Sequence, residues 1–433
     1  MKNTTIIIPV AIKEGMRDFH RGMLLNLDTT ITRADVEIIV VDYGCTEDTD
    51  FLVDYADKFA KIESESLDEA VAAGKLAASC RYVCIMDPNT KHKAPGWIED
   101  RIRALSPMQF YWEEKPEVRA NKVLITGING FAASHLARYL LELGYEVHGT
   151  IRVRSDLHRI SDIVKKIKMH QVELTDYLSV EHVILNVKPD QIYHLAAQST
   201  VRPSWDMPSE NYRINVDGTI NVLESCRKLT YKPEILNVST SESYGDTGEE
   251  ITEETAQRPN THYGVSKTAQ DMIGRMYFKA YGLPVVTSRS FNITGPGRAD
   301  AFVDSNFAKQ VAEIEKGIVS PAIRHGNLTS KRDFTDVRDV VRAYVMIMES
   351  KRFGEIFNIC TGKSHSIQEV LSTLVSLSTS KDISTEVDPE RFRPIDTKDM
   401  ICKGEKIREL GWTPKIRFEE SMEALLNYWR NRI

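Results

Sequence analysis

Tyr263 and Lys267 stand in the run Tyr-Gly-Val-Ser-Lys. On a helix that spacing puts them about one turn apart on one face, so an ammonium sits beneath a phenol and lowers its pKa. A phenolate favoured in this way is a base near neutral pH. Upstream, Thr240 and Glu242 close an apolar run, Ile235-Leu-Asn-Val-Ser239, that reads as a strand. Residues two apart at a strand end point the same way, which sets a hydroxyl beside a carboxylate. The stretch from Ser239 to Lys267 therefore offers a hydroxyl, a carboxylate and a base to one cleft. A Tyr and a Lys at helical spacing are, alone, more often surface residues than a catalytic pair. The pair gains meaning from a second motif, Thr126-Gly127-Ile-Asn129-Gly130-Phe131-Ala-Ala133, at the end of another apolar strand.

These groups need elements to hold them, and 433 residues are enough for two or three domains. Apolar content of 42% and charged content of 27% are those of a globular protein. A net charge of -6, with both signs spread along the chain, argues against a nucleic-acid surface. The six cysteines show no CxxC spacing and no scaffold density, so reduced thiols are expected. Cys80 and Cys84 lie one helical turn apart with no further ligands beside them, and no metal is expected. The first apolar run is too short for a signal peptide, and nothing later is long enough to span a bilayer. A cytoplasmic protein with no membrane contact is expected.

Residues 4–10 and 37–42 are β-branched runs with helical periodicity between them, a βαβ unit with a parallel sheet. Helices are expected over Asp50–Lys61 and Leu67–Ser79, then a strand over Tyr82–Met86 closed by Asp87-Pro-Asn89. The order of these runs over residues 1–105 resembles the nucleotide-binding half of family 2 glycosyltransferases, a truncated GT-A-like α/β half domain. That family uses carboxylates at the second strand end and a later Asp-x-Asp for a dication. Here Asp42 is present, Tyr43 takes the place of a common second Asp, and Asn89 replaces the second metal carboxylate. One carboxylate and one amide make a poor site for a hard dication, which favours a structural, docking or vestigial domain over an active transferase. Residues 106–120, with two prolines and no period, read as a linker.

From residue 121 the pattern restarts with Lys122-Val-Leu-Ile-Thr126 and the glycine turn. Gly127 and Gly130 let the backbone turn and approach a pyrophosphate, whose charge the following helix N-terminus meets. Thr126, Asn129 and Phe131 complete this cofactor turn. The second strand ends in Gly149-Thr-Ile-Arg152-Val-Arg154-Ser155, with no acid for a ribose 2′-hydroxyl. Two arginines there suit a 2′-phosphate, so NADP is expected, with NAD the alternative. Glu173 and Leu174, near the end of a third strand, and Leu195-Ala196-Ala197, after a fourth, are further cofactor contacts. His194 reads as a packed structural histidine. Two long amphipathic helices are expected over 211–228 and 263–281, the first carrying Asn215 inward.

The motifs TGINGF, HLAAQS, STSESYG, YGVSK, SFNITGPG, GNLTSKRDFTDVRD and RFRPID resemble those of extended short-chain dehydrogenases/reductases that modify nucleotide sugars. The likeness covers residues 121–433, and the subfamilies most similar are the GDP-mannose 4,6-dehydratases and the GDP-4-keto-6-deoxy-mannose reductases. It implies an α/β fold, a doubly wound seven-stranded Rossmann sheet with a smaller C-terminal substrate domain. It also implies that Tyr263 is the base on the C4 hydroxyl, that Lys267 tunes it and binds the nicotinamide ribose, and that Thr240 bonds the C4 oxygen. By the same resemblance Glu242 takes the C5 proton, and Ser241 and Asn292 contact the sugar diphosphate. Arg332 and Arg393 clamp the phosphates. Asp396 falls where dehydratases carry Glu for the nucleoside ribose.

The resemblance leaves two readings open. The triplet Thr240-Ser241-Glu242 is that of the dehydratases, whereas Gly295-Pro-Gly297, Ala301–Gln310 and Arg332–Asp336 are more like the reductases. Eliminating water across C5–C6 needs a carboxylate base and reducing a ketone does not, which favours the dehydratase. An epimerase and a silent scaffold in glycan assembly are the remaining alternatives. The expected partner is a nucleotide-diphosphate sugar, GDP-linked, and the two amphipathic helices match those that form a homodimer or homotetramer in the family.

Overall fold

The computed structural model describes residues 4–10, 36–43, 58–62, 82–85, 121–199, 201–392 and 400–433. The chain divides into two units, Met1–Arg119 and Ala120–Ile433. In the first, β1 (Thr4–Val10), β2 (Val36–Tyr43), β3 (Lys58–Ile62) and β4 (Tyr82–Ile85) form a parallel sheet of order β3-β2-β1-β4. The helix expected over Asp50–Lys61 is corrected at its C-terminal end. Residues Lys58–Lys61 belong to β3, paired with β2 from Ile39↔Lys58 to Tyr43↔Ile62. Ladder pairing outweighs a weak local helical spacing there. The other helices expected in this unit, Asp87, Asn89 and the linker at 106–120 lie outside the described residues.

The second unit is built on β5 (Lys122–Thr126), β6 (Glu146–Ile151), β7 (Lys168–Gln171), β8 (Gln191–His194), β9 (Glu234–Thr240) and β10 (Val285–Ser290). Beyond them come β11 (Asn292–Thr294), β12 (Ala322–His325), β13 (Lys331–Asp336), β14 (Ile356–Ile359), β15 (Ser364–Ser366) and β16 (Ser384–Val387). Seven strands make one parallel sheet of order β14-β10-β9-β8-β5-β6-β7, the doubly wound sheet expected. Its order reverses between β5 and β8, and a crevice opens at the carboxyl ends of strands on either side of such a reversal.

The principal helices are α1 (Phe131–Glu142), α2 (Tyr177–Val187), α3 (Gly218–Arg227), α4 (His262–Tyr281), α5 (Val303–Glu315), α6 (Val337–Glu349), α7 (Ile367–Ser376) and α8 (Phe418–Arg430). Successive residues of β5 serve opposite faces of the sheet. Val123 and Ile125 pack with Leu136 and Leu140 of α1 and with Tyr344 of α6. Leu124 packs with Ile184 of α2 and Val222 of α3. This period of two explains why a central strand reads as an unbroken apolar run. Truncating a buried leucine such as Leu136 to alanine costs about 2–5 kcal/mol. A third cluster, with Phe307, Leu371, Leu425 and Trp429, joins α5, α7 and α8 and carries β11 and β13 beside the crevice.

One expected boundary moves. Strand β7 ends at Gln171, and Asp176, expected at a strand end, instead caps α2 by accepting from Leu178 N. The expected helix over 211–228 also proves interrupted. Helical turns at Pro208–Tyr212 and α3 flank a wider π-turn at Arg213–Asp217.

Candidate active site

Helix α4 begins where Thr261 Oγ1 accepts from Gly264 N at 2.9 Å, and it ends on Gly282 in the left-handed conformation. Tyr263 and Lys267 lie on its first turns. Strand β9 delivers Thr240 opposite Ser290, and the chain then turns so that Thr240 Oγ1 accepts from Glu242 N at 3.3 Å. A Cβ on Gly264 would lie 2.7 Å from the Glu242 carbonyl oxygen, so a glycine is what lets α4 press against this turn. The Thr240 hydroxyl favours the ionised Tyr263 phenol, and the Glu242 carboxylate opposes its ionisation. Hydroxyl, carboxylate and phenol thus meet in one place.

The electrostatics correct one expectation. Burial raises the Tyr263 phenol well above its ordinary value, Thr240 opposing this and Glu242 adding to it. Burial also depresses the Lys267 ammonium to about 7, opposed by the charge of Asp271. A phenol lowered to neutrality by Lys267 is therefore not a property of the protein alone: burial dominates, and Lys267 is not among the groups that shift it. Lys267 Nζ donates to the Val238 carbonyl and to Gln270 Oε1, both at 2.5 Å.

The π-turn carries Asn215 inward. Its Oδ1 accepts from Gln198 N at 2.8 Å, and its Nδ2 donates to Ser266 Oγ at 2.9 Å, tying the segment after β8 to α4. Wider turns of this kind are frequent at functional sites. His194 is buried, and its tautomer follows from its partners. Thr126 Oγ1 already accepts from Ala196 N, so its proton goes to His194 Nδ1 at 2.9 Å. Thr219 already donates to the Asn215 carbonyl, so it accepts from His194 Nε2 at 3.1 Å. The ring is a neutral structural bridge, as expected, with burial depressing its pKa to about 3.

On the cofactor side, Gly127 takes φ +68° and a Cβ there would meet Ala196 at 3.0 Å. Gly127 N donates to Thr150 Oγ1, and Asn129 Nδ2 donates to the Asp156 carbonyl, which holds the loop after β6 beside the glycine turn. Helix α1 starts at Gly130 with no side-chain cap and no acid in its first turn. Its N-terminus fits an anionic pyrophosphate. Phe131 packs edge-on against His135. Arg152 and Arg154 are exposed at the end of β6, and a 2′-phosphate fits beside them. Leu195, Ala196 and Ala197 follow β8 and are partly exposed. Glu173 is exposed and accepts from Thr175 Oγ1, whereas Leu174 is buried in the core between the sheet and α3.

On the substrate side, Ser241 is buried in the turn after β9. Asn292 pairs with Phe334, two residues from the buried Arg332, on adjacent strands β11 and β13. Arg393 and Asp396 lie outside the described residues. The sequence reading missed the polar groups behind α4. Asp271 pairs with Arg289 at 2.6 Å, and Arg289 donates to Tyr244 at 2.8 Å. Asn237 and Gln270 bond each other at 2.7 Å. Of these, Gln270 and Asp271, three and four residues after Lys267, have a sequence signal, their helical spacing. Among the described residues no group of three or more His, Cys, Asp or Glu could hold a metal, and no helix is long and apolar enough to cross a membrane.

Comparison with known proteins gives this site its relatives. The sequence model of the family described as GDP-mannose 4,6 dehydratase matches residues 124–425. The chain is 32% identical to a GDP-mannose 4,6-dehydratase of Yersinia enterocolitica, over 69% of this chain and 91% of that one. It is 27% identical to a GDP-6-deoxy-D-mannose reductase of Pseudomonas aeruginosa, over 72% of this chain and 98% of that one. The solved structure of RMD from Pseudomonas aeruginosa complexed with NADPH superposes with a TM-score of 0.63 at 26% identity, over 72% of this chain and all (100%) of that one.

Proposed function

The chain belongs to the GDP-mannose 4,6-dehydratase family, and from that membership we propose that it converts GDP-mannose, or a related GDP-sugar, to the 4-keto-6-deoxy sugar with NADP bound throughout. The observation that carries this reading is that Thr240 and Glu242, a hydroxyl and a carboxylate, both act on the Tyr263 phenol.

NADP, when bound, would supply the hydride acceptor for C4 and the hydride donor for C6. Tyr263, ionised with the help of the positive charge that the oxidised cofactor would bring, takes the C4 hydroxyl proton, and Thr240 holds the oxygen as it becomes a ketone, which acidifies C5. Glu242, whose carboxylate has no hydrogen-bond partner among the described residues, removes the C5 proton as the C6 hydroxyl departs as water. The proton on Glu242 leaves with the C6 hydroxyl as water, and the proton on Tyr263 returns to C5 as hydride would reach C6, so protons and electrons balance. Lys267 offers the cofactor ribose the proton that Val238 and Gln270 leave unused. The N-terminus of α1, with Gly127, Asn129, Gly130 and Phe131, would hold the pyrophosphate, and Arg152 and Arg154 would select NADP over NAD. Ser241, Asn292, Arg332, Arg393 and Asp396 are the proposed sugar-nucleotide contacts. A homodimer or homotetramer through α4 and the helical segment ending in α3 completes the proposal. The free, buried Cys226, Cys360 and Cys402 agree with a reducing cytoplasm.

The Pseudomonas relative favours a second reading, reduction of GDP-4-keto-6-deoxy-mannose with NADPH. Incubation with each sugar, following nucleotide-sugar mass and NADPH absorbance together, separates the two. Loss of one water from GDP-mannose without net NADPH change supports the dehydratase; stoichiometric NADPH oxidation with the keto-sugar alone supports the reductase.

A further inference from the structure

Behind the Tyr263–Lys267 face, a chain of buried amides ends on the lysine. Asn237 of β9 donates through Nδ2 to the Gln270 backbone carbonyl at 3.0 Å, and its Oδ1 accepts from Gln270 Nε2 at 2.7 Å. Gln270 Nε2 also reaches the Val238 carbonyl at 3.3 Å, and Gln270 Oε1 accepts from Lys267 Nζ at 2.5 Å. Asn237 and Gln270 are each 1% exposed and Lys267 3%.

Each amide can face only one way. A backbone carbonyl only accepts, so Asn237 presents Nδ2 to it and leaves Oδ1 for Gln270. Gln270 must answer with Nε2, which turns Oε1 to Lys267. Reversing either amide sets donor against donor or acceptor against acceptor in a dry interior, where an unmade bond is costly. Gly274, one turn beyond Gln270, gives this pair its room: a Cβ there would lie 2.6 Å from Asn237 Nδ2.

We propose that Asn237 and Gln270 are positioning residues for the reaction, acting through Lys267 by fixing where its Nζ stands and which of its protons remain for the cofactor. This rests on the dehydratase reading for the reaction, though not for the geometry. A neutral amide at this point also sets the charge of the lysine. The charged or titratable groups that act on Lys267 are Asp271 on α4, itself paired with Arg275 and with Arg289 of β10, and neutral His194 of β8. A carboxylate in place of Gln270 strengthens proton binding at Lys267, and an apolar side chain weakens it.

The test compares the parent with Gln270→Glu and the near-isosteric Gln270→Met, measuring NADPH affinity against pH by fluorescence, turnover of GDP-mannose, and melting temperature. Gln270→Met is expected to weaken NADPH binding about tenfold or more and move its pH midpoint to lower pH, with KM for the sugar unchanged. Gln270→Glu, which keeps an acceptor for Lys267 but loses the Nε2 donor to Asn237 Oδ1, is expected to move the midpoint up by about one unit or more. If Gln270→Met does not fold, the Gln270→Glu shift alone decides. Folded variants that keep the parent's midpoint overturn the inference. Shifted midpoints in a protein that turns over neither sugar sustain it and overturn the functional reading instead.

Discussion

The Thr240 hydroxyl at the end of β9 lowers the pKa of the Tyr263 phenol on the first turn of α4. Burial and the Glu242 carboxylate both disfavour the phenolate, and the Thr240 hydroxyl favours it. The pairing therefore sets how readily Tyr263 loses its proton. Thr240→Val is expected to lower kcat about tenfold to a hundredfold and to move the ascending limb of the pH–rate profile to higher pH. Tyr263→Phe should cost about 10²–10⁴-fold. A Thr240→Val profile superposable on the parent's would remove the threonine from the mechanism.

The exposed arginines after β6 predict cofactor choice. Arg152→Ala with Arg154→Ala should weaken NADP binding by about tenfold to a hundredfold while leaving NAD binding nearly unchanged, because only the 2′-phosphate contact is lost. Titrating both cofactors by calorimetry checks this. Equal losses for the two would mean that the arginines serve the loop and not the phosphate.

Helix α4 carries Val265, Met272 and Met276 on its exposed side, with Met272 52% and Met276 50% exposed. Their spacing puts them on one stripe, and an apolar stripe of this kind is suited to burial against a second copy. Light scattering on Met272→Glu/Met276→Glu should show a smaller assembly than the parent, down to the monomer mass. An unchanged mass would place the interface elsewhere.

His194 makes stability depend on acid. Its pKa falls from 6.5 in the unfolded chain to about 3 in the buried site, so the unfolded state binds the extra proton as pH drops through 6.5. Stability is lost progressively from there toward pH about 3, by several kcal/mol in order of magnitude. Protonation would also break the bond that Thr126 donates to Nδ1. Melting temperatures between pH 7 and 4 should fall less steeply for His194→Gln than for the parent; parallel slopes would assign the acid loss to other groups.

What could be read from the sequence was what is local. Tyr263 and Lys267 are one turn apart, the glycine turn spans a few residues, and the alternation in β5 is contiguous, so each left its own pattern. Asn237 and Gln270 meet only because the strand and helix are in register, 33 residues apart in the chain. The Asp271–Arg289 pair, 18 residues apart, is likewise set by packing. The π-turn at Asn215 is a backbone event with no residue signature. The spacing of Tyr263 and Lys267 reports distance and not the desolvation that raises the phenol and depresses the ammonium. In β3, pairing with β2 overrode local propensity.

The most direct measurement uses GDP-mannose carrying deuterium at C4. The label is expected to reappear at C6 of the keto product, with one water lost and no net change in NADPH, because the hydride never leaves the site. Label in released cofactor, or untouched GDP-mannose alongside NADPH-dependent reduction of the keto-sugar, would contradict it.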